Sequence, residues 1–107
     1  MTSISHIFPE IKHGGSRNFF LIAGPCVIEN ESMPFEIASN IQNICNRLEI
    51  PFIFKASYRK ANRSSLHSFT GIGDEKGLKV LENIRKECQI PVLTDIHTSQ
   101  EASLAAA

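Results

Sequence analysis

Apolar residues along the chain follow two different spacings. Continuous apolar runs occupy residues 19–23 and 50–54, and a third apolar stretch, Pro91-Val92-Leu93-Thr94-Asp95-Ile96, lies near the end. Short runs of this kind, ended by Gly24-Pro25 in the first case, predict strands buried on both faces, as in parallel sheets. Between the first two runs Ile37, Ile41, Ile44 and Leu48 recur every three or four residues. That spacing predicts a helix with one apolar stripe, capped by Ser32 and tolerating Pro34 in its first turn. Leu78, Leu81 and Ile84 predict a second helix over residues 75–87, and residues 99–106 begin a further one. The second strand is expected over 52–56. Residues 1–18 are weakly patterned: 4–7 is expected as a short strand, and His13-Gly14-Gly15-Ser16 is a turn signal.

The resulting order is strand, helix, strand, helix, strand, helix, an α/β class built from repeated βα units with a parallel sheet. Three such units complete neither a doubly wound sheet nor a (β/α)8 barrel, which takes about 250 residues. The final Glu101-Ala102-Ser103-Leu104-Ala105-Ala106-Ala107 reads as a helix cut short. The expectation is a piece of a larger α/β protein, with 1–18 an extension and 19–107 the first part of the main domain.

Charge narrows the function classes. Eleven cations balance eleven acids, so no global field favours nucleic acid or an anionic membrane. No apolar run approaches the ~20 residues of a membrane span, and the N-terminus lacks the pattern of a signal peptide. Three cysteines without close spacing argue against a disulfide framework and for a reducing compartment. Cys45 and Cys88 fall in helical patterns and read as small core hydrophobes.

Against this neutral background the segment after the second strand is locally basic. Lys55, Arg59, Lys60 and Arg63 fall within nine residues, with Ser57 and Asn62 between them, Ser64 and Ser65 directly after, and no acid. Lysines and forked arginines suit phosphate and carboxylate; the bland alternative is a solvated loop. Polar groups also follow the other strands: Cys26 and Glu29 after the first, Asp95 and His97 after the third. In a parallel α/β barrel all strand C-termini share one face, so these groups would converge on one mouth. Each has a structural alternative. Cys26 is either a residue buried beside a turn or a thiolate ligand for a divalent metal such as zinc or iron. Asp95 suits a helix cap, His97 a surface position and His67 a structural or peripheral one, with His6 and His13 exposed. Gly71-Ile72-Gly73 is a turn without a dinucleotide fingerprint.

Four stretches carry a family resemblance. Ile22-Ala23-Gly24-Pro25-Cys26-Val27-Ile28-Glu29, Phe54-Lys55-Ala56-Ser57, Lys60-Ala61-Asn62-Arg63-Ser64-Ser65 through His67-Ser68-Phe69, and Leu93-Thr94-Asp95-Ile96-His97 resemble, in order, the 3-deoxy-D-manno-octulosonate 8-phosphate (KDO-8-phosphate) synthases. The related 3-deoxy-D-arabino-heptulosonate 7-phosphate synthases share the Ala-Gly-Pro-Cys opening but place Pro-Arg after the lysine, where this chain has Ala61-Asn62-Arg63. The resemblance implies a partial TIM (β/α)8 barrel, its first three βα units. It implies condensation of phosphoenolpyruvate with D-arabinose 5-phosphate in a cytoplasmic, usually homotetrameric enzyme of lipopolysaccharide sugar biosynthesis.

It also implies residue roles. Lys55, Ser57 and Lys60 match positions on the phosphoenolpyruvate carboxylate, with Lys60 also near the aldehyde. Asn62, Arg63 and Ser64 match the sugar-phosphate side, with Arg63 on the phosphate. Asp95 and His97 match groups near the reacting carbons and the metal-bound water. The family divides into metal-dependent members with Cys and metal-independent members with Asn at the position of Cys26, so a divalent metal (zinc, iron or manganese) is expected, the remaining ligands lying in the second half of the barrel. One loop departs: Thr70-Gly71-Ile72-Gly73 stands where the family has Arg-Gly-Pro-Gly, losing a cation and a proline. The rival readings are a heptulosonate 7-phosphate synthase piece and a non-catalytic remnant with weak anion binding. The isolated chain is expected to be inactive.

Overall fold

The computed structural model describes residues 4–58, 74–96 and 98–106. In chain order the elements are α1 (Ile4–Ile7), β1 (Leu21–Ala23), α2 (Met33–Leu48), β2 (Phe52–Lys55), α3 (Asp74–Cys88), β3 (Val92–Leu93) and α4 (Glu101–Ala106). The strands form one parallel sheet in the order β1-β2-β3. Leu21 pairs with Phe52 and Ala23 with Phe54 on one side of β2; Phe54 pairs with Val92 and Lys55 with Leu93 on the other. Each helix between strands returns the chain to the starting edge, as parallel pairing requires.

The core lies between the sheet and the two long helices. Phe52 and Phe54 project from one face of β2, their rings edge-to-face at 6.5 Å. They pack with Ala38 and Cys45 of α2, and with Val80, Leu81, Ile84 and Cys88 of α3. Cys45 and Cys88 are thus core residues, as their helical positions predict. Gln42 of α2 donates to the carbonyl of Cys88 at 2.6 Å, satisfying one of the acceptors a helix C-terminus leaves open.

Several local expectations are corrected. Residues 4–7 form a helical turn rather than a strand: the Phe8 N–H bonds the Ile4 carbonyl at 2.9 Å, so local bonding replaces a ladder, and Pro9 stops the turn. The strands are shorter than the apolar runs. β1 lies at an edge of the described sheet with Ile22 47% exposed, so it is not buried on both faces, and Phe19, expected in the strand, lies before it and is exposed. The inward stripe of α2 is Pro34, Ala38 and Cys45, with Ile37 and Ile41 partly buried, while Ile44 and Leu48 are exposed. Small residues face inward where the helix lies against its neighbours, which rotates the buried face away from that predicted by hydrophobicity alone. Ser32 occupies the N-cap position without a side-chain cap bond. The cap acceptor is Asn30 Oδ1, which receives the N–H groups of Ser32 at 3.0 Å and Met33 at 2.7 Å.

The extension seals the opposite end of α2. Asn18 Nδ2 donates to the carbonyls of Leu48 and Glu49 at 3.2 and 3.0 Å, and His13 Nε2 lies 3.0 Å from Asn46 Oδ1. These contacts tie residues 13–18 to the end of the fold from which the strands start, leaving the strand exits to the other face.

Candidate functional site

The exits of β1 and β2 are held in register beyond the strands themselves. Val27 and Ser57 form an isolated parallel bridge. In it the Ile28 N–H donates to the Ser57 carbonyl at 3.0 Å, and the Ser57 N–H to the Cys26 carbonyl at 3.4 Å. Gly24 makes this approach possible: a Cβ there would run into the carbonyl oxygen of Lys55. The Gly24-Pro25-Cys26 turn therefore lies directly against the end of β2. On the other side the Ala56 N–H donates to the Leu93 carbonyl at 3.3 Å, bringing the β3 exit alongside.

Lys55 and Ser57 are adjacent at this edge. Lys55 Nζ lies 3.5 Å from Ser57 Oγ, with Lys55 half-buried and Ser57 buried. An ammonium and a hydroxyl converging this way can both donate to one oxyanion. Cys26 is exposed. Past β3, Asp95 is half-buried, and the buried Thr94 Oγ1 has no hydrogen-bond partner among the described residues. Cys26, Lys55, Ser57 and Asp95 thus stand at one end of the sheet, as convergence of strand exits predicts. Lys60, Asn62, Arg63, Ser64 and His97 lie outside the described residues, as do Arg59 and His67. Among the described residues no three His, Cys, Asp or Glu side chains come together to hold a metal. The exposed Cys26 thiol fits the role of a single soft ligand.

Sequence reasoning missed a pair just behind this edge. Tyr58 is fully buried and its hydroxyl donates to Oε2 of Glu101, itself buried, at 2.8 Å. Nothing in the spacing of Tyr58 or Glu101 marks them: a tyrosine after a strand and an acid in a helix's first turn are ordinary. Two open clefts lie elsewhere, one between residues 7–12 and the end of α3, the other between α3, β3 and α4. Neither includes Cys26, Lys55 or Ser57.

The three thiols differ in environment. Burial pushes the Cys45 thiol above its ordinary value, and Cys88 is also buried, whereas Cys26 faces solvent. A disulfide reagent added to the native chain is expected to modify Cys26 quickly, and Cys45 and Cys88 only on denaturation. Peptide mapping of the modified chain checks this. Equal labelling of all three before denaturation would contradict the described packing.

A family profile described as the DAHP synthetase I family matches residues 2–107. The chain is 53% identical over 91 residues to a protein of Syntrophobacter fumaroxidans named 2-dehydro-3-deoxyphosphooctonate aldolase, a match covering 85% of this chain and 32% of the relative. A protein of the same name from Aromatoleum aromaticum is 53% identical over 94 residues, covering 88% and 34%. One from Paracidovorax citrulli is 54% identical over 93 residues, covering 87% and 33%. That name denotes KDO-8-phosphate synthase, so the resemblance in the four stretches is borne out. The chain spans about a third of the length of the curated relatives it matches.

Proposed function

Since the chain belongs to the DAHP synthetase I family, we propose that it carries the first three βα units of a (β/α)8 barrel KDO-8-phosphate synthase. That enzyme condenses phosphoenolpyruvate with D-arabinose 5-phosphate and water, giving 3-deoxy-D-manno-octulosonate 8-phosphate and phosphate. The observation that carries the reading is the locked strand exit, where Lys55 and Ser57 converge beside the Cys26 turn.

Within this reading Lys55, Ser57 and Lys60 hold the phosphoenolpyruvate carboxylate. Lys60 also faces the sugar aldehyde, where its charge stabilises the oxygen that becomes negative as the carbon–carbon bond forms. Arg63 binds the sugar phosphate through forked hydrogen bonds, with Asn62 and Ser64 beside it. Asp95 and His97 stand near the reacting carbons, where they orient water and exchange protons with it. Cys26 supplies one thiolate to a divalent metal (zinc, iron or manganese) whose other ligands lie outside the described residues. Such a metal, held in part by Cys26, would supply Lewis-acid polarisation of a water at this mouth. No described helix is long and apolar enough to cross a membrane; a cytoplasmic homotetramer is the assembly proposed for the whole protein.

A second reading, a heptulosonate 7-phosphate synthase using erythrose 4-phosphate, shares the family name of the profile. Asn62 and the names of the relatives weigh against it. One assay separates the two. The 107 residues are joined to the remaining two thirds of the Aromatoleum relative, and phosphate release is followed with each sugar phosphate. Turnover is expected with D-arabinose 5-phosphate and not with erythrose 4-phosphate, and none from the isolated chain. Arg63→Ala in the joined protein removes a charge-assisted contact of about 1.5–3 kcal/mol, so it should weaken the sugar phosphate about 10- to 100-fold and phosphoenolpyruvate much less. Preference for erythrose 4-phosphate would reverse the assignment. Failure with both sugars would favour a non-catalytic remnant, and turnover by the isolated chain would overturn its proposed inactivity.

A further inference from the structure

The Tyr58–Glu101 bond joins parts of the chain that the sheet does not join. Tyr58 follows Ser57 directly, and the backbone of Ser57 is the partner of both Cys26 and Ile28. α3 closes on Tyr58 from one side: a Cβ on Gly77 would come within 2.9 Å of the Tyr58 Cβ and 3.2 Å of its carbonyl oxygen. At the far end of the ring the hydroxyl meets Glu101 at 2.8 Å, at the start of α4. Tyr58 is wholly inaccessible and Glu101 is 8% exposed. A buried carboxylate needs strong hydrogen bonding to be tolerated, and a phenol donor supplies a charge-assisted bond of fixed length from a stiff side chain.

We propose that Tyr58 and Glu101 are a positioning pair, through which the docking of α4 sets the backbone of Ser57 and with it the Lys55–Ser57 anion-binding edge. The pair touches no substrate. It works from behind the site: α4 holds the carboxylate, the carboxylate holds the ring, and the ring fixes the residue after Ser57. The inference rests on the proposed anion-binding role for its functional meaning, while the coupling itself is structural and measurable separately.

The test is amide hydrogen exchange on the 107-residue chain, comparing Tyr58→Phe, Glu101→Ala, Glu101→Gln and the double Tyr58→Phe/Glu101→Ala. Tyr58→Phe keeps the ring and removes the hydroxyl that donates to Glu101. It is expected to speed exchange at the Ile28 and Ser57 amides by about tenfold or more, with the core amides of Phe54 and Ile84 unchanged. Glu101→Ala should speed exchange at the same two amides, and the effect of the double variant should fall well short of the sum of the two single ones, because the Tyr58–Glu101 bond is lost in both. Glu101→Gln keeps an acceptor and should restore protection. Unchanged exchange at Ile28 and Ser57 in Tyr58→Phe overturns the proposal, as does acceleration spread evenly over all core amides, which marks a general stability contact. A parallel titration of each variant with phosphoenolpyruvate, followed at Lys55 and Ser57, is expected to show about tenfold weaker binding in Tyr58→Phe and recovery in Glu101→Gln. If the unmodified chain does not bind phosphoenolpyruvate, the functional reading loses support while the exchange result still decides the coupling.

Discussion

Gly24→Ala is expected to destabilise the chain by about 3 kcal/mol and to disrupt the strand exits, because the added methyl meets backbone rather than a movable side chain. The Cβ would collide with the carbonyl of Lys55, whose residue is hydrogen-bonded into the centre of the sheet. Relief requires moving the Gly24-Pro25-Cys26 turn away from β2, and that breaks the Val27–Ser57 bridge. Gly15 is the control, since a Cβ there meets nothing within 4 Å. Urea unfolding of the two variants measures the difference. If Gly24→Ala unfolds at the same midpoint as Gly15→Ala, the close approach of the two strand exits is not a constraint on the fold.

Metal removal should have the largest effect on the joined protein. Exhaustive chelation is expected to lower turnover by about 100-fold or more, and zinc, manganese or ferrous iron to restore part of it. Cys26→Ser should bind metal weakly, an alcohol being a poor ligand at neutral pH. Cys26→Asn is the more searching variant, since the family resemblance implies asparagine there in metal-independent members. It is expected to retain some turnover that chelators do not touch. Elemental analysis accompanies each assay. Full turnover from chelated, metal-free protein would remove Cys26 as a metal ligand.

The order of elements was legible because burial imposes period: three apolar runs became three parallel strands, and the stretches between them became helices. The inward positions of Cys45 and Cys88 followed from the same logic. What escaped was set by partners rather than by period. The inner face of α2 runs through Ala38 and Cys45 rather than Ile44 and Leu48, because closeness of packing selects small residues. Asn30 rather than Ser32 supplies the cap because its side chain folds forward onto two amides, a choice made by local geometry that composition does not record. The common location of Cys26, Lys55, Ser57 and Asp95 at one end of the sheet was legible because parallel strands bring their exits to one face. Tyr58 and Glu101 were not, because 43 positions separate them in the chain and only the docking of α4 makes them neighbours.

Parallel pairing also has a consequence in time. Leu21 must wait for Phe52, its partner about 30 residues downstream, and a ribosome extends the chain at about 5–20 residues per second. For seconds after synthesis, Phe19, Phe20 and Ile22 belong to an unpaired segment. Even in the folded chain all three remain substantially exposed. The first strand therefore stays unpaired longer than the second, and a holding chaperone that binds short apolar stretches has an opportunity there.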